Sequence, residues 1–373
     1  MLNTFTSYQL IARDVPKALD RIENQPLVDR ETKYYLENIV KVTSIDAFVK
    51  DDRLFRYAMK AHGLEDMAYA KAFMVKALKE GVVDPKSFAN KLTDKRYAEF
   101  VTTFNFAARG ELATVYNKAQ HEVPKNYAIQ ADIAGVDPQS DFVKNETNYY
   151  LANIVKIKSV DELMANTRVL TYAMAAYGLD SATENMDYIE EILDGGTRDP
   201  ASPANLATNK AYAAFVAAFD FEGLGETATT RSLAQQPAVD KFLRQTLEQD
   251  AGKQNEGVRL ALYFERKGPE LTDFYQVLAD PALAKVIRTS LGLPASFASA
   301  DIDKQVQLFE SRLDIADFSD PEALGEFLTR FTSLWEVENP TSTVQTSISV
   351  LFSQPVEFGV STNLLFAIQS MRR

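Results

Sequence analysis

Residues 31–64 read ETKYYLENIVKVTSIDAFVKDDRLFRYAMKAHGL, and residues 146–179 read ETNYYLANIVKIKSVDELMANTRVLTYAMAAYGL. About half of the positions are identical, at a constant offset of 115 residues. A fainter third copy runs from Gly257 to Leu293. There Tyr263-Phe264 stands where Tyr149-Tyr150 stood, and Gly292 where Gly178 stood. Self-similarity at a fixed period sets the architecture before any other argument. A segment used three times is first a structural unit, so its shared residues are read as scaffold before chemistry.

Helix punctuation explains the repeat. Ser159-Val160-Asp161-Glu162 has the form of a capping box, with Glu162 expected to reach back to the cap. Ser44 opens the matching helix in copy one, with Asp46 in its first turn to complement the dipole. One helix is expected to run from each cap through an apolar stripe: Phe48, Leu54, Phe55, Ala58 and Met59 in copy one, Leu163, Val169, Leu170, Ala173 and Met174 in copy two. Each ends in Gly-Leu, at Gly63-Leu64, Gly178-Leu179 and Gly292-Leu293. Glycine there can take the left-handed conformation while the leucine folds back on the last turn.

Ahead of this helix lies another, over Glu31 to Val42 and Glu146 to Ile157, with Tyr35, Leu36, Ile39 and Val42 at helical spacing. A third is expected over Met67 to Glu80, matched by Thr183 to Leu193. Asp84-Pro85 and Asp199-Pro200 then break the chain at the same phase. The last helix carries Tyr97, Phe100, Val101, Phe104 and Phe106, repeated as Tyr212, Phe215, Val216, Phe219 and Phe221. Aromatic residues at that spacing read as core. VDKFLRQTLEQDAG before copy three reads as one more amphipathic helix.

The chain therefore reads as all-α: a tandem helical repeat of about 115 residues, with two clear copies, one divergent copy and a C-terminal helical tail. The units expected are repeat 1 over 1–122, repeat 2 over 123–236, divergent repeat 3 over 237–340 and an amphipathic tail over 341–373. The first boundary is placed near Val123-Pro124 and Gly135-Val136-Asp137-Pro138. Beyond Pro340 the composition turns Ser/Thr-rich. Val360, Leu364, Ala367 and Met371 then make a final stripe, open to docking on the chain itself or on another subunit.

Composition narrows the function. The 46% apolar content of the 373 residues is enough to build real cores. A formal charge of −12 argues against nucleic acid or anionic lipid as partner. The chain has no cysteine, which excludes disulfides, thiolate metal sites and cysteine nucleophiles. The start, MLNTFTSYQLIARDVPKAL, lacks a basic segment and an apolar run, so no cleavable secretory signal is expected. No apolar run is long enough to insert in a membrane.

Candidate chemistry is sparse. His62 and His121 are the only imidazoles. His62 precedes a helix-ending glycine, and copy two has Tyr177 in its place, so the residue reads as structural. His121 lies in a polar stretch. Gly252-Lys253-Gln254-Asn255-Glu256-Gly257 has the glycine spacing of a phosphate loop but is followed by Val258-Arg259. It lacks the lysine and the hydroxyl that phosphate and magnesium binding require, and reads as a helix start after a short loop. Carboxylate pairs such as Glu190-Glu191 carry no sign of facing a cleft. No catalytic, cofactor-binding or metal-binding residue is assigned, no cofactor is expected, and the chain reads as not an enzyme.

The strings YYLENIVKV (34–42), DDRLFRYAMKAHGLEDMAYAKAFM (51–74), DKRYAEFVTTFNF (94–106), QNEGVRLALYFERK (254–267) and RFTSLWE (330–336) carry a resemblance. Together they resemble an uncharacterised alphaproteobacterial domain-of-unknown-function family whose genes tend to sit among flagellar genes. The resemblance spans about Tyr8 to Trp335 and brings no catalytic residues. It implies a structural or accessory protein of the bacterial flagellum acting through protein–protein contacts. Its partners would be other flagellar proteins or the chain itself, and it would be exported without a cleavable signal. The alternative is a cytoplasmic adaptor or chaperone-like regulator of flagellar assembly, and a third reading is an enzyme of unknown reaction.

Overall fold

The computed structural model describes residues 3–339, and no strand occurs among them. The expected tail over 341–373 lies outside the described residues. A leading segment holds α1 (Thr4–Ala12) and α2 (Val15–Glu23). Module one follows as α3 (Pro26–Ile39), α4 (Ile45–Lys50), α5 (Asp52–Ala61), α6 (Lys71–Glu80), α7 (Phe88–Lys91), α8 (Arg96–Thr103) and α9 (Phe106–Arg109). Helix α10 (Lys118–Ile133) leads to module two: α11 (Asp141–Ile154), α12 (Val160–Ala165), α13 (Thr167–Ala175), α14 (Met186–Gly195), α15 (Pro203–Leu206), α16 (Lys210–Phe219) and α17 (Phe221–Leu224). Helix α18 (Gln236–Gln254) leads to module three: α19 (Glu256–Lys267), α20 (Phe274–Ala279), α21 (Pro281–Ser290), α22 (Ile302–Glu310) and α23 (Pro321–Glu338). The element order of module one recurs in module two at the 115-residue offset.

The single helix expected from Ser44 to Gly63 is two helices. Ser44 and Ser159 do cap, accepting from the N–H of Ala47 and Glu162. The chain then breaks at Asp51 and Asn166, which leave helical geometry and cap a second helix by accepting from Leu54 and Val169 N–H. Asp280 does the same in module three, with Pro281 at the first helical position. The apolar stripe runs through the break because both short helices bury the same face. Glu162 reaches one residue further back than a standard box, to the N–H of Lys158 at 2.7 Å. The third expected helix starts later, at Lys71 and Met186, and Phe106 sits on its own short turn after the break at Phe104.

The Gly-Leu terminators behave as expected. Gly63, Gly178 and Gly292 have φ of +67°, +71° and +64°. The following Leu64, Leu179 and Leu293 donate to the carbonyls of Met59, Met174 and Arg288 at 2.8, 3.0 and 2.9 Å. This six-to-one bond closes the helix end.

The domain boundaries differ from the sequence reading. The chain forms two compact units: residues 19–247, and residues 3–18 together with 248–339. Modules one and two thus share a unit. Val123-Pro124 is no boundary but lies inside α10, whose cap is Asn117, accepting from Gln120 N–H. The reason lies in where the leading helices pack. Helix α10 sits on the module it precedes: Ala119 and Val123 are fully buried in the core of module two, and Tyr150 Oη donates to the Ala119 carbonyl at 2.9 Å. Helix α18 and the turn before it instead serve module one. There Tyr35 Oη donates to Ala234 O at 2.7 Å and Phe242 stacks on Tyr57 at 3.8 Å. Ala234 and Phe242 lie 115 residues after Ala119 and Tyr127, and Tyr127 stacks on Tyr172 at 3.9 Å in the same role.

Helix α1 takes the remaining place. Tyr8, the 115-residue counterpart of Val123, is buried in the core of module three among residues of α19, α21 and α23. Thr4 donates from its N–H to Glu336 at 2.9 Å, and its hydroxyl also donates to Glu336 and accepts from Asn255 Nδ2 at 2.8 Å. Helix α1 and the start of α18 have therefore exchanged the modules that their chain positions would assign them. Within the larger unit the exchange is tied by matched bonds. Gln120 Nε2 donates to Thr229 O at 2.7 Å, and Gln235 Nε2 donates to Thr114 O at 3.3 Å.

A Cβ at Gly178 would meet nothing nearer than 3.8 Å, so Gly178→Ala tests the backbone alone. The variant is expected to lose about 1 kcal/mol of stability because alanine is strained at positive φ. Chemical denaturation measures this, and equal or greater stability in the variant would contradict the cap.

Candidate interaction surface

The residues that the sequence offered for chemistry are placed apart, and the histidines and Gly257 are used in packing. His62 is the C-terminal cap residue of α5 and is buried, edge-on to Phe100 and Phe104 at ring distances of 5.4 and 6.1 Å. Tyr177 fills the same position in module two, edge-on to Phe215 at 6.1 Å. His121 stacks on Tyr116, with Nδ1 2.9 Å from the Asn117 carbonyl oxygen. Gly252 lies within α18, and Asn255 caps α19 by accepting from Gly257 N–H at 2.9 Å. A Cβ at Gly257 would meet Trp335 Cδ1 at 2.3 Å, so this glycine lets α19 approach α23. Glu190 and Glu191 are exposed on α14. Among the described residues no group of three or more His, Asp or Glu could hold a metal ion. No described helix is long and apolar enough to cross a membrane.

Perturbed ionisation follows the aromatic stacks. Tyr35 and Tyr57 stack at 4.2 Å and Tyr150 and Tyr172 at 4.5 Å, each pair extended by the ring of a leading helix. Burial raises the pKa of all four phenols, of Tyr172 to about 12. These groups are scaffold: at neutral pH they are uncharged, Tyr35 and Tyr150 donate to backbone carbonyls, and Tyr57 and Tyr172 pair with the hydroxyls of Thr32 and Thr147 at 3.0 and 2.8 Å. The ion pair of Glu248, which is buried, with Arg266 is bidentate at 2.8 and 2.9 Å. It joins the end of α18 to α19, and a broken partner there leaves an uncompensated buried charge.

The helical hairpin of α10 and α11 exposes apolar side chains that the repeat does not require. Ile129 and Ile133 are 48% and 73% exposed, in the last turns of α10, past the buried Ala119 and Val123 of its first turns. Gly135, with φ of +77°, ends the helix, and Val136 donates to Ala131 O at 2.8 Å. Ser140 caps α11 by accepting from Val143 N–H, which turns Val143 inward and leaves Phe142 61% exposed. Asp132, Asp137 and Asp141 are exposed around them. At the offset of 115, Ile129, Ile133 and Val136 correspond to Asp14, Ala18 and Arg21, and Phe142 to Leu27. The leading segment thus carries charged or small residues at three of these four positions, although its chain turns between α1 and α2 where α10 runs on as one helix. Sequence periodicity alone folds Ile129 and Ile133 into a generic helix stripe. Only comparison of modules with burial in hand separates them from the core.

The architecture defines a class: an all-helical tandem repeat whose modules share leading helices across the chain. The chain belongs to the family described as Protein of unknown function (DUF1217), whose model matches residues 61–174 and again 176–324. It is similar to the crystal structure of protein AGR_C_984 from Agrobacterium tumefaciens, an alphaproteobacterium. The two are 35% identical over 90% of this chain and 94% of that one, with a TM-score of 0.54. No curated protein matches.

Two outcomes are expected here. A His62→Gln protein should keep its helical fold, checked by circular dichroism, because module two manages with Tyr177 at the same position. Stability should also fall in alkali. The unfolded phenol ionises near 10, whereas folded Tyr172 ionises near 12. The contribution is therefore present below about 10 and lost as pH rises through about 12. Melting followed from pH 9 to 12 should show the loss, and Tyr172→Phe should make it smaller without removing the share of Tyr35, Tyr57 and Tyr150.

Proposed function

We propose that this protein is a structural or accessory component of the bacterial flagellum that acts through protein–protein contacts and not through catalysis. The observation that carries the contact reading is the apolar hairpin surface of Ile129, Ile133, Val136 and Phe142, whose first three residues correspond to Asp14, Ala18 and Arg21 of the leading segment. Exposed apolar residues that cluster within a polar rim mark an interaction site, whereas scattered ones do not. The flanking Asp132, Asp137 and Asp141 fit a partner with basic residues around an apolar centre, because complementary charge steers encounter and fixes register. The flagellar setting is supported by the resemblance of the strings at 34–42, 51–74 and 254–267 to a family whose genes tend to sit among flagellar genes.

Fractionation tests the setting. The intact chain should be found in sheared flagella. A purely cytosolic pool that co-purifies with export substrates would favour the adaptor reading instead. The surface is tested by the pair Ile133→Asp and Phe142→Asp. Both side chains are exposed, so melting should change little, while recovery of the chain in the flagellar fraction and swimming should fall. Normal assembly in a stable double variant would remove this surface from the account.

A further inference from the structure

The molecule contains three seats for a leading helix, and they are filled from three different places in the chain. Module two uses the helix that precedes it, module one uses the start of α18, and module three uses α1. The seats are related by the repeat, so the helix that fills one need not come from the adjoining stretch of chain. One exchange has already occurred inside the chain. We propose that the seat of α1 on module three also accepts α1 from a second copy of this chain, so that the protein self-associates by exchanging its N-terminal helix.

Four observations support the exchange. The contacts of α1 are with residues remote in sequence: Thr4 bonds Asn255 and Glu336, at separations of 251 and 332 residues. Such contacts are chemically the same whether made within one molecule or between two, which is the condition for domain swapping. Next, α1 is joined to the chain by a tight turn at Arg13-Asp14, both exposed, where Asp14 already opens the next helix by accepting from Lys17 N–H at 3.1 Å. Opening that turn frees α1 without unfolding α2, and short hinges favour exchange over closure.

The seat is also incompletely filled. An open-sided pocket of about 190 Å³ lies against Tyr8, bordered by Pro269, Phe318, Leu324 and Leu328. An anchor with such a pocket on one side has fewer partner atoms than one enclosed on every side. Finally, α1 has nine residues, too few to hold a helix alone in water. A released α1 therefore gains its structure by finding a seat, and the seat of chemistry matched to Tyr8, Ile11 and Thr4 is that of another copy. This self-association uses module three and does not involve the α10–α11 surface assigned above.

The chain has no cysteine, so a single introduced pair reports the exchange. Full-length Thr4→Cys and full-length Asn255→Cys are mixed, incubated over a range of concentrations and oxidised. A disulfide between the two chains is expected, and sedimentation of the unsubstituted protein should show association that rises with concentration. In the doubly substituted chain, oxidised as a dilute monomer, α1 is locked in its own seat. Association should then be lost and return on reduction. Three outcomes overturn the proposal: an unsubstituted protein that sediments as a monomer throughout, a locked chain that associates as well as the reduced one, or a pair that closes within one chain but never between two. Ile133→Asp with Phe142→Asp should leave the exchange intact, which separates it from loss of the flagellar partner.

Discussion

The structure depends on one constraint: a module of this repeat cannot close its core without a leading helix laid across its first two long helices. In modules one and two the closure is aromatic. Tyr35 and Tyr57 are completed by Phe242, and Tyr150 and Tyr172 by Tyr127. The deep phenol of each pair donates to a backbone carbonyl at the start of that helix, Ala234 or Ala119. Stacked rings remove a large apolar area from water, and the buried hydroxyl finds its acceptor only when the helix is in place. Module three has Phe264 where the others have the donating tyrosine, and its leading helix is held instead by Tyr8 and the polar contacts of Thr4.

This constraint explains why the compact units do not follow the repeat boundaries. A helix is retained by the module whose core it closes, not by the one nearest in sequence. The larger unit joins modules one and two because α10 and the start of α18 each bond across the pair, through Gln120 to Thr229 and Gln235 to Thr114. The smaller unit begins with α1 because module three would otherwise lack a cover. The same logic bears on assembly: a protein whose closing elements come from distant places in the chain is built from contacts that two molecules can also make.

The aromatic positions of Phe100, Phe104, Phe215 and Phe219 are core, as their spacing implied, and His62 is absorbed into that core beside them. The break at Asp51, Asn166 and Asp280 was written in the sequence as three residues with cap chemistry at one phase. It was hidden because the apolar stripe continues across it. The candidate surface was less legible. Ile129 and Ile133 continue the helical spacing of Ala119 and Val123, and they are exposed because they lie toward the C-terminal end of α10, past its buried turns.

By itself the sequence determined the helical class, the 115-residue period, the capping serines and the glycines at helix ends, because each of these is set by interactions within a few residues. Backbone geometry at Gly63, Gly178 and Gly292 follows from local bonds that any isolated copy would make. The tertiary structure decided which helix covers which module. That choice rests on contacts across 199 residues for Tyr35 with Ala234, and across 332 for Thr4 with Glu336. No local pattern encodes it, since α1, α10 and α18 occupy the same phase of the repeat, and only the fit of their side chains to three related but unequal seats tells them apart.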